Sequence, residues 1–165
     1  MDTSDLSNNS ETFHNRLMDA ALEQAQKARD AGEVPIGAVV ADETGKLMAS
    51  AFNQTIQMAD PTAHAEILAI RKAADRIQNY RLLNMSLYVT IEPCIMCMGA
   101  VIHARLTRVV FGTRDPKWGG AGSLYNFAAD RRLNHEPEII SGVRENECRT
   151  IIVDFFTAKR LKNSR

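Results

Sequence analysis

The chain has 165 residues, 45% hydrophobic and 24% charged, with a formal net charge of zero. That composition excludes disordered, collagen-like and disulfide-framework proteins, and the length suits one domain with a real core. No apolar run nears the roughly 20 residues that span a bilayer, and residues 1–10 show no leader pattern, so the expectation is a soluble, cytoplasmic protein with no membrane partner.

Residues 11–31 place Phe13, Leu17, Ala21, Ala25 and Ala28 on one helical face, and Gly32 follows as a stop. Residues 34–40 are a short apolar run that reads as a buried strand. Asp42, Glu43, Thr44 and Gly45 are turn chemistry, and residues 46–52 suit the returning strand of a hairpin. Asp60, Pro61 and Thr62 break the chain and open a helix with Ile67, Ile70, Ala74 and Ile77 on one face. Residues 86–91 form a β-branched and aromatic strand, after which Pro93 starts a helix running to His103, because proline suits a first helical turn. A strand at 107–111, a Gly-rich loop at 112–123, a weak strand at 138–141 and an amphipathic helix at 144–162 complete the chain. The order α-β-β-α-β-α-β-β-α predicts a mixed sheet between helices. Residues 1–10 are expected to be a disordered extension, with 11–165 as one domain.

Charge is unevenly spread. Acidic residues dominate the first 33 positions, whereas Arg149, Lys159, Arg160, Lys162 and Arg165 crowd the end. A neutral total is compatible with a basic face for phosphates, but charge alone favours the plainer reading that helix ends gather cations against the dipole.

The chemistry is carried by His64-Ala65-Glu66 and Pro93-Cys94-Ile95-Met96-Cys97. Residues three apart share a helical face, so Cys94 and Cys97 point at one ion. Helix starts favour thiolate over thiol, and His64 completes three N/S ligands of the kind zinc prefers. Three ligands leave the fourth tetrahedral position for water, the mark of a catalytic zinc. Glu66, two residues past His64, reaches the volume beside that position as a proton shuttle. The competing possibility is a structural zinc whose fourth ligand is Cys148, His103 or His135.

These segments resemble the cytidine/deoxycytidylate deaminase superfamily of zinc deaminases. The resemblance implies an α/β fold, a three-layer α/β/α sandwich with a mixed five-stranded sheet, and hydrolytic loss of an exocyclic amino group. Further segments are similar to the bacterial tRNA-specific adenosine deaminases over about 13–160: Gly32-Glu33-Val34-Pro35-Ile36-Gly37-Ala38, Phe111-Gly112-Thr113-Arg114-Asp115-Pro116-Lys117, Gly119-Gly120-Ala121-Gly122-Ser123, Asn134-His135 and Asp154-Phe155-Phe156. That family converts the wobble adenosine of an arginine tRNA anticodon to inosine, as a homodimer with one zinc (Zn2+) per subunit.

The resemblance implies metal ligation by His64, Cys94 and Cys97, with Glu66 as catalytic proton shuttle. Asn53 matches the residue that hydrogen-bonds the target nucleoside, and Val34, Ala65 and Pro93 match the purine pocket. Asp115, Lys117, Asn134, Phe156 and Arg160 match positions near the tRNA anticodon stem-loop. Taken alone, Asn53 also suits a strand end, Asp115 a turn and Phe156 a helix core. Two residues depart from the family pattern: Met98 stands where a small residue is usual, and Trp118 interrupts the Gly-rich loop, able to stack on a base or cover a subunit interface. The alternative activity is deamination of a free base or nucleoside of the guanine or cytosine type.

Overall fold

The computed structural model describes residues 3–163. Its first helix, α1 (Thr3–Asp30), begins well before the expected start at residue 11. Neither glycine nor proline occurs before Gly32, so no residue interrupts helix propagation. Residues 3–10 of the expected extension fall within α1, and Met1 and Asp2 lie outside the described residues.

The strands β1 (Gly37–Asp42) and β2 (Leu47–Phe52) form the expected hairpin. Its turn is closed by the Asp42 carboxylate, which accepts from the Thr44 amide (2.9 Å), the Thr44 hydroxyl (2.7 Å) and the Lys46 amide (3.0 Å). There follow α2 (Ala65–Ile77), β3 (Met85–Ile91), α3 (Ile95–Ala104), β4 (Arg108–Thr113), β5 (Glu138–Ser141) and α4 (Glu145–Asn163). A short 3-10 turn at Phe127–Ala129, absent from the sequence expectation, precedes β5.

The sheet is five-stranded in the order β2-β1-β3-β4-β5. β1 runs antiparallel to β2 and β3, whereas β3, β4 and β5 are mutually parallel. Both faces are covered, and alternate residues of the central strands serve opposite layers. Ala38, Val40, Leu87, Val89, Val109 and Phe111 pack with Leu68, Ala69 and Val101 of α2 and α3. Val39, Ala41, Tyr88 and Val110 pack with Leu17, Met18 and Ala21 of α1 and Cys148 of α4. The result is the expected three-layer α/β/α sandwich. At Gly37 the α1 backbone approaches so closely that a Cβ would lie 2.0 Å from the Ala21 carbonyl oxygen, so only glycine fits.

The register brings one sheet edge together. Gly37 pairs with Phe52 at the end of β2, and Ile91 at the end of β3 pairs with Thr113 at the end of β4. Ligands of open α/β sheets bind outside the carboxyl ends of the parallel strands, and α2 and α3 both begin there.

Candidate active site

Asp60 sets the approach to α2. Its carboxylate accepts from the Thr62 amide (2.8 Å) and hydroxyl (2.7 Å), which holds the carboxyl below its ordinary pKa. This turn keeps residues 61–63 out of the helix that the Asp60-Pro61-Thr62 break was expected to open, and α2 starts at Ala65 with His64 as its N-cap. At α3 the correction is similar. Cys94 is the N-cap, and Pro93 stands before it instead of in the first turn. Neither His64 nor Cys94 caps its own helix with its side chain, which leaves both to face one another.

The Sγ atoms of Cys94 and Cys97 lie 3.7 and 3.6 Å from Nδ1 of His64. A tetrahedral zinc with Zn–S near 2.3 Å and Zn–N near 2.0–2.1 Å places sulfur and nitrogen about 3.6 Å apart, so the donor set fits that ion as it stands. The neighbouring Cys97 thiol, with His64, draws the Cys94 thiol down to about 4. Cys97, whose partner holds the thiolate and which is itself buried, is pushed far up, and His64 is raised chiefly by Cys94. One thiolate is thus already favoured in the bare trio, at the start of a helix whose dipole supports it.

Glu66 sits beside the trio, 3% exposed, and burial pushes its carboxyl up to about 7. Its Oε2 is buried without a hydrogen-bond partner. A lone buried carboxylate oxygen costs stability unless something engages it, so an unpaired oxygen here is fitted to a bound water or substrate group. Among the described residues, the only His/Cys/Asp/Glu group close enough to hold a metal is His64, Cys94 and Cys97. Of the fourth ligands considered, Cys148 is buried in the opposite layer, His103 is exposed on α3, and His135 Nε2 contacts the Leu106 carbonyl at 2.6 Å.

The trio opens into a cleft of about 590 Å³. His64, Glu66 and Cys94 form its floor chemistry, Ile36 and Ile91 its apolar walls, and Asp115 and Trp118 one side of it. The Gly-rich loop making that side is organised by Glu92, 1% exposed. Its carboxylate accepts from the amides of Asp115 (3.1 Å), Ala121 (3.0 Å) and Ser123 (2.9 Å), and from the Ser123 hydroxyl. The loop is also tied to the metal helix, because the Gly120 amide donates to the Pro93 carbonyl (2.8 Å).

Glu33 does the same for the opposite loop. Fully buried, it accepts from the amides of Ile56 (2.9 Å) and Gln57 (2.7 Å) and the Thr55 hydroxyl (3.3 Å). Thr55 in turn receives the Asn53 amide at 3.4 Å, and the Asn53 backbone donates to the Ile36 carbonyl at 3.0 Å. Asn53, 4% exposed, is therefore held at the shared sheet edge beside a cleft-lining residue. The sequence offered no signal for Glu33 or Glu92 as loop organisers beyond their place in the quoted segments.

The remaining expected contacts are distributed. Ala65 and Pro93 are buried next to His64 and Cys94, and Val34 is half-buried before β1. Asp115 lines the cleft and also turns its own loop, accepting from the Lys117 (3.0 Å) and Trp118 (3.2 Å) amides. Lys117 is exposed beside it. Asn134 is exposed and accepts from Arg105 at 2.7 Å, and it is not among the residues lining the cleft. Phe156, 43% exposed and edge-on to Phe155, and exposed Arg160 lie on α4, which contributes nothing to the cleft lining.

Comparison with known proteins identifies the family of this fold. Residues 11–113 fit the cytidine and deoxycytidylate deaminase zinc-binding region. A tRNA-specific adenosine deaminase of Haemophilus influenzae is 48% identical over 148 residues, 90% of this chain and 86% of that protein. A structure solved in studies of A-to-I editing by tRNA:A34 deaminases at the wobble position superposes with a TM-score of 0.79 at 40% identity, covering 82% of this chain and 98% of the other. A guanine deaminase from Nitrosomonas europaea, at 22% identity and a TM-score of 0.75 over 86% of this chain and 83% of that one, shares the fold alone. The chain belongs to the cytidine and deoxycytidylate deaminase family, in the branch of the tRNA-specific adenosine deaminases. It is an enzyme of that deaminase class.

Proposed function

We propose that this enzyme hydrolyses adenosine to inosine at the wobble position of a tRNA, with arginine tRNA as its substrate. The observation that carries the chemistry is the juxtaposition of the His64–Cys94–Cys97 donor set with the unpaired Oε2 of Glu66. The tRNA substrate is supported by the relatives' activity over most of the chain.

His64, Cys94 and Cys97 would hold a zinc ion, which would supply the Lewis acidity that makes water nucleophilic at neutral pH. The chain's own residues do the rest. Glu66 Oε2 accepts the proton of the attacking water and returns it to the base, so that C6 gains oxygen and loses its amino group as ammonia. Ile36 and Ile91 give the flipped purine an apolar slot, and Asn53 offers it a polar partner from the edge. Exposed Lys117 is placed to meet loop phosphates. Val34, Ala65 and Pro93 back the purine pocket, while Asn134, Phe156 and Arg160 contact the anticodon stem-loop farther out. One zinc per subunit, a homodimer and a cytoplasmic location complete the proposal, and metal analysis and sedimentation test the first two.

The test is incubation of the zinc-loaded protein with an unmodified arginine tRNA transcript carrying a wobble adenosine, read by reverse transcription, which reports inosine as guanosine. A change confined to the wobble site is expected. No change, accompanied by turnover of free guanine or cytosine, overturns the tRNA substrate.

A further inference from the structure

We propose that Trp118 is a stacking platform for a nucleobase flanking the target adenosine, at the rim of the cleft that takes the target itself. The inference rests on the RNA substrate proposed above and adds a contact to it.

Trp118 is the sole tryptophan of the chain, and its side chain is 64% exposed where the Gly-rich loop borders the cleft. Its backbone is pinned on both sides. The Trp118 amide donates to Asp115 Oδ1 at 3.2 Å, and the next amide, of Gly119, donates to the Asp115 carbonyl at 2.9 Å. Gly119 is in turn wedged against the buried Glu92. Among the described residues, no aromatic ring or cation packs on the indole. The fold thus fixes the stem of a large flat apolar group that is mostly exposed and has no aromatic or cationic partner among the described residues.

The surroundings favour a base as occupant. The loop carrying the ring also forms the wall of the catalytic cleft, so a base stacked on it belongs to the strand that delivers the target. Exposed Lys117, the preceding residue, offers a cation to the backbone of that strand. Aromatic stacking combined with a nearby cation is how proteins hold unpaired nucleotides, and it tolerates any base because each has a π-face. A free base bound in the cleft would leave such a rim ring without a role.

The single tryptophan makes its fluorescence a report on this ring alone. The zinc-loaded protein is titrated with a synthetic anticodon stem-loop carrying the wobble adenosine, with intact flanks or with an abasic site 5′ or 3′ of the target. The intact loop should quench the emission saturably. One abasic position should abolish the quench and weaken binding by about tenfold or more. Trp118→Ala should weaken the intact loop by a similar factor and be insensitive to that abasic site, whereas Trp118→Phe should recover most of the affinity.

Quenching that ignores both abasic sites, or Trp118→Ala binding within about twofold of wild type, would overturn the stacking role. So would conversion of a dimer to a monomer by Trp118→Ala, which would place the ring in a subunit interface. In each of those cases, inosine formation at the wobble site would still stand, so the stacking role would fall without the proposed activity. Absence of both inosine and stem-loop binding in the wild type would overturn the two together.

Discussion

The carboxylate of Glu92 occupies the space left by the missing side chain of Gly119: a Cβ there would lie 2.4 Å from the Glu92 carboxyl carbon. This contact locks the Gly-rich loop onto the segment that begins the metal helix. A carboxylate is needed, because all four of its partners donate. Glu92→Gln turns an NH2 group toward N–H donors and leaves at least one of them unsatisfied in a buried site. The expected loss is about 2 kcal/mol of stability, measured by urea denaturation, with zinc content unchanged. A variant as stable as wild type would show that the loop holds its form without this hub.

That hub also shows where sequence reasoning stopped. The metal donors were legible because histidine and paired cysteines at fixed spacing are rare, and their chemistry dictates their geometry. The strands were legible from apolar runs between turn signals. Glu33 and Glu92 were not, because each binds amides 23 to 31 residues away and leaves no periodic trace. Helix starts shifted for local reasons: the Asp60 turn keeps residues 61–63 out of α2, and Cys94 took the N-cap of α3, so that Pro93, expected in the first helical turn, stands just before it.

Glu66 divides metal binding from proton transfer. It is not one of the three donors, and its Oε2 has no partner within the protein. Glu66→Gln should therefore retain zinc and fold, yet slow deamination by about 10²- to 10⁴-fold, the span typical of a lost general acid–base group. Metal analysis and inosine formation on the same preparation check this. Turnover within about tenfold of wild type would assign the proton to another group.

His14 provides a pH test remote from the site. Its Nδ1 lies 2.9 Å from the Tyr88 hydroxyl, and burial first, then Arg108, lowers its pKa from 6.5. Burial also pushes Tyr88 up to about 12, so the phenol stays protonated and donates to the neutral ring. Because the folded pKa lies below the unfolded one, the unfolded chain binds more protons between the two values. Stability is then at its plateau above 6.5 and falls as the pH drops through that window. Urea midpoints at neutral and mildly acidic pH should show this fall in wild type and a smaller one in His14→Gln. Equal slopes for the two proteins would remove His14 as the source.

Metal removal tests the central site as a structural element as well as a chemical one. The donors come from the starts of two helices that follow different strands, so an ion there ties α2 to α3 at the sheet edge. Binding to the folded state alone stabilises by mass action, about 4 kcal/mol when free zinc exceeds its Kd by ~1000-fold. For a chain of this size that corresponds to a Tm shift on the order of 10 °C. Chelation should lower the Tm of the wild type by that amount, and added zinc should restore it. Cys97→Ser, which replaces a buried donor sulfur, should start near the chelated value and respond little to chelator or to zinc. An equal chelator effect on both proteins would mean that the stabilising ion sits elsewhere, and no effect on either would mean that the trio does not hold metal in the folded chain.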